Sequence, residues 1–154
     1  MIIRNKLDKS FGPTGSVAGY IIFIVGLGST IYSWTGLILA LIGAFAGFTS
    51  TSTVIDLNTK RVKFSNNLFG IIKTGKWISI EPTMKLGIKK INKVWRTYSG
   101  SNRSFDFPNK DYRIMLYSSD NKVILPIKKA NSLEGARVEL EALGNQLGLA
   151  SNLT

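Results

Sequence analysis

The hydrophobic pattern of the chain is dominated by one uncharged segment near its start. The 46 residues from Ser10 to Ile55 include no Asp, Glu, Lys, Arg or His. A membrane-spanning helix needs about 20 apolar residues, with about 17 as the practical minimum, so this segment has room for two. The polar break at 32–36 (YSWTG) divides it. The pattern therefore predicts two transmembrane helices, 16–33 and 36–50, with Tyr32 and Trp34 at the water interface.

The segment has two other interpretations, a cleaved signal peptide and a buried hairpin of a soluble protein. A cleaved signal peptide has a single apolar core of about 7 to 15 residues, whereas a second apolar run follows here. A buried hairpin in a soluble protein would explain the modest length of each arm. The segment is rich in Gly, which weakens water-exposed helices but is common where membrane helices approach closely. The spacing of Gly43 and Gly47 favours close packing, either between the two arms or with another molecule.

The charges that flank the segment predict its orientation. Arg4, Lys6 and Lys9 precede the first arm, and Lys60 and Arg61 follow the second. The connection between the arms has no charged residue. Because basic flanks stay on the cytoplasmic side, both termini are expected in the cytoplasm, with residues 1–15 as a basic N-terminal tail. The absence of cysteine is compatible with a reducing compartment.

Residues 51–154 are expected to form one small domain. Runs rich in β-branched and aromatic residues predict strands, at 51–57, 61–68, 76–80, 84–95, 112–118 and 122–127. Turn residues at 56–59 and 118–121 predict two antiparallel hairpins. The pair Lys89 and Lys90 interrupts the alternation of its strand and predicts a bulge.

The end of the chain changes to a helical period. Leu133, Ala136, Leu140, Leu143 and Leu147 recur at steps of three and four residues, which predicts an amphipathic helix that covers a sheet. Asn131 is the expected N-cap, with Glu134 completing a capping box.

The order of these elements resembles a family of small bacterial membrane proteins with a pleckstrin-homology-like domain. The local similarity lies in 51–80 (TSTVIDLNTKRVKFSNNLFGIIKTGKWISI), where a strand, an acidic residue, a basic pair and a second strand lead to the turn at Leu68-Phe69-Gly70. The resemblance implies an α+β domain, a half-open antiparallel barrel or sandwich of about six or seven strands with a C-terminal helix as its cap. It also implies binding of proteins or lipid headgroups rather than catalysis. The long polar segment 97–110 and the high charge depart from the family pattern.

The supply of catalytic residues is poor. The chain has no His and no Cys, which excludes metal sites built on those ligands. An Asp could still act as a base, and Asp106 and Asp111 flank the same segment, but carboxylates in polar loops are mostly solvated. We therefore expect no enzyme activity, no cofactor and no metal.

The positive charge of the chain predicts which surface it could bind. The formal net charge is +11, and residues 51–130 carry 16 Lys and Arg against five Asp and Glu. Next to an anionic leaflet each such cation adds about 1 kcal/mol of attraction. The candidate headgroup-binding residues are Lys60, Arg61, Lys63, Lys89, Lys90 and Lys93. The alternative is that these side chains only keep the domain soluble and protect its edge strands.

The segment 97–110 is interpreted as a contact loop because it exceeds the usual hairpin connection. Its candidate contact residues are Arg96, Tyr98, Arg103 and Phe105. Basic residues interleaved with aromatics are also typical of nucleic-acid binding, which a membrane tether disfavours. The sequence thus predicts a non-catalytic module in the bacterial inner membrane, an accessory or scaffold subunit that binds other membrane subunits or itself. The alternatives are an anionic-lipid sensor and a tethered nucleic-acid-binding domain.

Overall fold

The chain folds as an α+β protein. The computed structural model describes residues 1–98 and 104–152, with the side chains of residues 1–92 and 111–151. Two N-terminal helices, two sheets and a C-terminal helix are present, which confirms the coarse prediction. In chain order the elements are β1 (Ile2–Lys9), α1 (Gly12–Ser29), α2 (Thr35–Phe48), β2 (Ser50–Asp56), β3 (Arg61–Leu68), β4 (Ile72–Thr74), β5 (Trp77–Ser79), β6 (Lys85–Tyr98), β7 (Ser104–Tyr117), β8 (Val123–Ala130), α3 (Leu133–Leu147) and β9 (Ala150–Asn152).

Both sheets are open. One has the strand order β1-β2-β3-β4, and β5 also pairs with β3. The other has the order β8-β7-β6-β9, in which β9 runs parallel to β6 and the other pairs are antiparallel. Each order has two unpaired ends, so neither sheet closes on itself. The predicted half-open barrel is therefore wrong, and the described strands exceed the expected six or seven.

The chain divides into two compact units. The first consists of Met1–Lys6, Thr53–Phe64 and Lys76–Thr154, and the second of Leu7–Ser52 and Ser65–Gly75. The division falls inside β1, β2 and β3.

The first unit contains the main hydrophobic core. Strands of both sheets and α3 contribute apolar side chains that are almost fully buried, among them Ile55, Val62, Leu86, Ile114, Leu116, Ile127 and Leu140. Burial of each such side chain stabilises the fold by about 1.5–3 kcal/mol. Helix α3 contacts β6, β7, β8 and β9. In the predicted stripe, Ala136, Leu140, Leu143 and Leu147 are buried, which confirms the covering helix, whereas Leu133 is exposed.

Residues at its two ends determine where α3 begins and ends. The cap is Ser132, one residue later than predicted, and its hydroxyl accepts from the Gly135 amide at 3.1 Å. Gly135, rather than Glu134, therefore occupies the third helical position, so the spacing of the expected capping box is absent. At the other end Gly148 has φ +68°, the left-handed conformation that ends a helix, and the chain continues into β9.

Three further predictions need correction. Residues 2–9 form a strand and not a tail, because Ile3, Asn5 and Leu7 alternate with exposed residues. No bulge occurs at Lys89 and Lys90, where β6 and β7 pair without a break; the irregularities lie instead between β7 and β8. The strand pairing also extends into the predicted loop 97–110, whose described residues belong to β6 and β7.

Candidate functional site

Helices α1 and α2 of the second unit pack through their smallest side chains. The buried residues of the pair are Gly12, Ser16, Gly19, Gly26, Gly36, Ala40, Gly43 and Gly47. A Cβ atom added at Gly43 would lie 2.7 Å from Cα of Phe23, and one added at Gly19 would lie 2.8 Å from Cα of Gly47. The two backbones are therefore in direct contact, and both glycines of the predicted pair Gly43 and Gly47 lie at this interface.

The large apolar side chains of the same helices point away from the interface. Exposed residues are Val17, Ile21, Ile24, Val25, Leu27, Leu37, Ile38, Leu39, Leu41, Ile42, Phe45 and Phe48. A water-soluble hairpin would have the opposite arrangement, since Ile, Leu and Phe are normally the residues placed inside. Helices that pack within lipid place small residues at the helix–helix interface and large apolar residues on the outer face.

The two helices differ in length. Helix α1 has 18 residues and is long and apolar enough to cross a membrane, whereas α2 has 14. At 1.5 Å per residue α2 spans about 21 Å, less than the roughly 30 Å of a hydrocarbon core. Both helices begin and end closer to the N-terminus than the predicted arms, 16–33 and 36–50. Pro13 lies in the first turn of α1, where its missing N–H has no intrahelical partner to lose.

Aromatic side chains lie at both ends of the helix pair. At one end the rings of Phe11 and Phe69 each lie 5.5 Å from Phe45. There Lys9 Nζ donates to the Tyr20 hydroxyl at 2.6 Å and lies 4.4 Å from the ring centroid. At the other end Tyr32 and Trp34 are exposed in the connection. Aromatic rings at the two ends of an apolar segment are typical of membrane interfaces.

The candidate headgroup-binding residues do not share one strand face. Arg61 and Lys63 are two residues apart on β3 and therefore point the same way, with Lys63 Nζ 5.9 Å from the Trp77 ring centroid. Lys60 is exposed in the preceding turn. Lys89 and Lys90 are adjacent on β6 and point to opposite faces. Lys93 lies on the same strand, but its side chain is outside the described set.

The candidate partner-contact residues lie on a long β-hairpin. Arg96 and Tyr98 belong to β6 and Phe105 belongs to β7, with Arg96 opposite Asp106 in the register. Arg103 lies outside the described residues. The structure thus replaces the predicted loop by paired strands and leaves the contact role of these residues as a prediction.

A buried charge cluster was missed by the sequence analysis. Oδ2 of Asp111 lies 2.8 Å from both Nε and Nη2 of Arg113 and 3.6 Å from Nζ of Lys129. Asp111 is 1% exposed and the Arg113 side chain 7%. The signal available in the sequence was the Asp-x-Arg spacing, which places both side chains on one strand face. Asp111 is therefore an ion-paired carboxylate rather than a solvated loop residue.

Asp56 is a second acid with a defined environment. Its carboxylate accepts a hydrogen bond from the Thr59 hydroxyl at 2.8 Å and another from the backbone amide of Asn58 at 3.1 Å. The hydrogen bond from the Thr59 side chain is the main reason why the pKa of Asp56 lies below its ordinary value. A carboxylate with a lowered pKa is a poorer general base at neutral pH.

The described residues include no group of three or more His, Cys, Asp or Glu placed to hold a metal ion. The chain is thus an α+β protein in which the N-terminal helix pair exposes its large apolar residues. Comparison of the chain with protein-family models, curated proteins and solved structures gives no match.

Proposed function

We propose that this protein is a non-catalytic, membrane-anchored interaction module. The observation that carries the proposal is the reversed side-chain distribution of α1 and α2, with glycines inside and Ile, Leu and Phe outside. An exposed apolar surface of this extent is unfavourable in water and favourable in lipid. The two helices would form the anchor, and the sheets with α3 would form the interacting part.

Orientation and cellular location extend this proposal. The basic residues Arg4, Lys6 and Lys9 lie before α1, and Lys60 and Arg61 follow β2, while residues 30–34 between the helices have no charge. The positive-inside rule then supports cytoplasmic termini. The order of two helices, sheets and a C-terminal helix is the basis for proposing a bacterial inner membrane as the location. In that setting the module would act as an accessory or scaffold subunit.

A lysine on the outer face of α1 tests the anchor. Ile24 and Val138 are both aliphatic, helical and 68% exposed, but they lie on α1 and α3 respectively. A central Lys costs about 2.5 to 3.5 kcal/mol in membrane insertion. We therefore expect Ile24→Lys to reduce strongly the fraction of full-length protein that remains in membranes after alkaline carbonate extraction.

Val138→Lys is the matched control. It introduces the same side chain at the same exposure on a helix that faces water, so its membrane fraction should equal that of the unmodified chain. Equal extraction of all three proteins into the soluble fraction would contradict the membrane anchor. Equal retention of all three would show that this face of α1 does not contact lipid.

The partner is tested with a shortened β6–β7 hairpin. Since Arg96 and Asp106 are register partners, replacing residues 97–105 by Asn-Gly closes the same pair with a two-residue turn. We expect the full chain, solubilised in mild detergent, to retain a stoichiometric protein companion through size exclusion, and the shortened chain to lose it. Unchanged helix content by circular dichroism controls for folding. Retention of the companion by the shortened chain would exclude the hairpin as its contact.

A lipid-sensing role is the second candidate, favoured by the shared face of Arg61 and Lys63 beside Trp77. Cations next to an aromatic ring suit an anionic interface. The same purification distinguishes the two functions. A lone chain with co-purifying anionic phospholipid, identified by mass spectrometry, would favour lipid sensing over the accessory role.

A further inference from the structure

The β3–β4 connection has an unusual tip. The Ile71 amide donates to the Leu68 carbonyl at 3.1 Å, and the two central residues, Phe69 and Gly70, have φ of 54° and 73°. Positive φ at both central positions is typical of the tight β-turns found in β-hairpins. Leu68 pairs with Ile72, so the loop consists of Phe69, Gly70 and Ile71. A Phe rarely adopts this conformation, so other contacts must favour it here.

Those contacts come from the C-terminal end of α2. The Phe69 ring packs edge-on against Phe45 at 5.5 Å, and the Phe69 amide donates to Thr49 Oγ1 at 3.3 Å. A Cβ at Gly70 would lie 3.6 Å from the carbonyl oxygen of Phe48. The tip is thus fixed beside the last turn of α2, within the second unit.

The tip presents apolar side chains to the outside. Ile71 is 81% exposed and Ile72 is 55% exposed, and the exposed Lys73 follows them. Turn tips of soluble proteins are normally polar, because exposed Ile contributes nothing to folding and promotes association. An apolar tip followed by Lys matches a segment that enters the outer part of a bilayer, with its cation at the headgroups.

We infer that residues 69–72 insert into the interfacial layer of the bilayer as a second membrane contact. This inference rests on the proposed anchor. If α2 lies in the bilayer, its end at Thr49 lies at the boundary, and the aromatic rings of Phe45 and Phe69 continue from the helix into the tip. Lys9, held by Tyr20 at the same helix end, adds a cation for anionic headgroups.

The experiment uses the absence of cysteine from the sequence. Single variants Ile71→Cys, Ile24→Cys and Ser119→Cys of the full chain are labelled with an environment-sensitive fluorophore and reconstituted into phosphatidylcholine–phosphatidylglycerol vesicles. The vesicles contain lipid spin labels at a shallow or a deep acyl position. We expect the shallow label to quench position 71 more than the deep one, the deep label to quench position 24 more, and neither to quench position 119 in the exposed β7–β8 turn.

The outcomes separate this inference from the proposed anchor. Quenching at position 24 but none at position 71 would overturn the second contact and leave the anchor intact. No quenching at either position would overturn both. Protection of position 71 from aqueous iodide without quenching by spin-labelled lipid would show that a second copy or another protein covers the tip, which also overturns a lipid contact.

Discussion

The variant Gly43→Ala is expected to destabilise the α1–α2 pair strongly. The added Cβ would lie 2.7 Å from Cα of Phe23 and 2.8 Å from the Gly19 carbonyl oxygen. These are backbone atoms, so no side chain can rotate to make room and the helices must separate. Overpacking typically costs about 1–3 kcal/mol, and we expect a value at the upper end. The measurement is the thermal unfolding of the full chain in mild detergent, followed by far-ultraviolet circular dichroism.

Two other glycines of the pair supply the controls. Gly28 has no neighbouring atom within 4 Å of an added Cβ, so Gly28→Ala should leave the unfolding midpoint unchanged or raise it through better helix propensity. At Gly47 the closest atoms belong to the Tyr20 ring, at 2.7 Å and 2.9 Å, and a ring can move. The unfolding midpoint of Gly47→Ala should therefore lie between those of Gly43→Ala and Gly28→Ala. Equal midpoints for all three variants would refute a backbone contact between the helices.

The second large effect is expected from Asp111→Ala. This change removes the carboxylate that binds Arg113 at 2.8 Å while the guanidinium remains in its buried position. Removal of one partner of a buried ion pair costs about 3–5 kcal/mol, because the remaining charge keeps its desolvation cost without that attraction. We expect a loss of this size in the free energy of unfolding, measured by urea titration of the detergent-solubilised chain.

The matched comparison is an ion pair at the surface. Lys128 and Glu139 approach to 2.5 Å, but their side chains are 32% and 40% exposed. Such pairs contribute about 0–1 kcal/mol because water screens them, so Glu139→Gln should change the unfolding free energy little. If the two variants lost equal stability, the burial of Asp111 would not be the source of its effect.

The elements with strong local patterns were predictable from the sequence. The apolar stripe from Ala136 to Leu147 predicts α3. The segment 61–68, with Val62 and Phe64 between turn residues, predicts β3 with the bounds that the structure has. The helix pair was predicted, but its first arm was placed at residues 16–33, whereas α1 begins at Gly12 and has Pro13 in its first turn, a position that tolerates proline.

The elements that depend on distant partners were not predictable. β1 places Asn5 at a buried position, where its side-chain amide donates to the Ile127 carbonyl 122 residues away. The sequence around it reads as a basic tail because the pairing strand is far along the chain. The segment 104–110 (SFDFPNK) contains Pro108, which disfavours a strand, so its strand conformation depends on its register with β6.

In the candidate site, too, features with a local sequence pattern were predictable and features that depend on distant residues were not. Glycine spacing pointed to Gly43 and Gly47, because close helix approach is a local property of small residues. The grouping of Asp111, Arg113 and Lys129 could not be predicted from the sequence. Arg113 and Lys129 meet around Asp111 only because β7 and β8 pair in a register that contains two irregularities.

The pairing of β1 with β2 has a consequence for the order of folding. Thr51 exchanges hydrogen bonds with the backbone of Asp8 across a sequence separation of 43, and the helix pair lies between them. During synthesis β1 therefore emerges long before its partner strand exists. Closing a flexible loop of that length costs roughly 3 kcal/mol of entropy. If α1 and α2 associate first, they bring the ends of the loop together, so the first strand of the chain joins its sheet after the helices have formed.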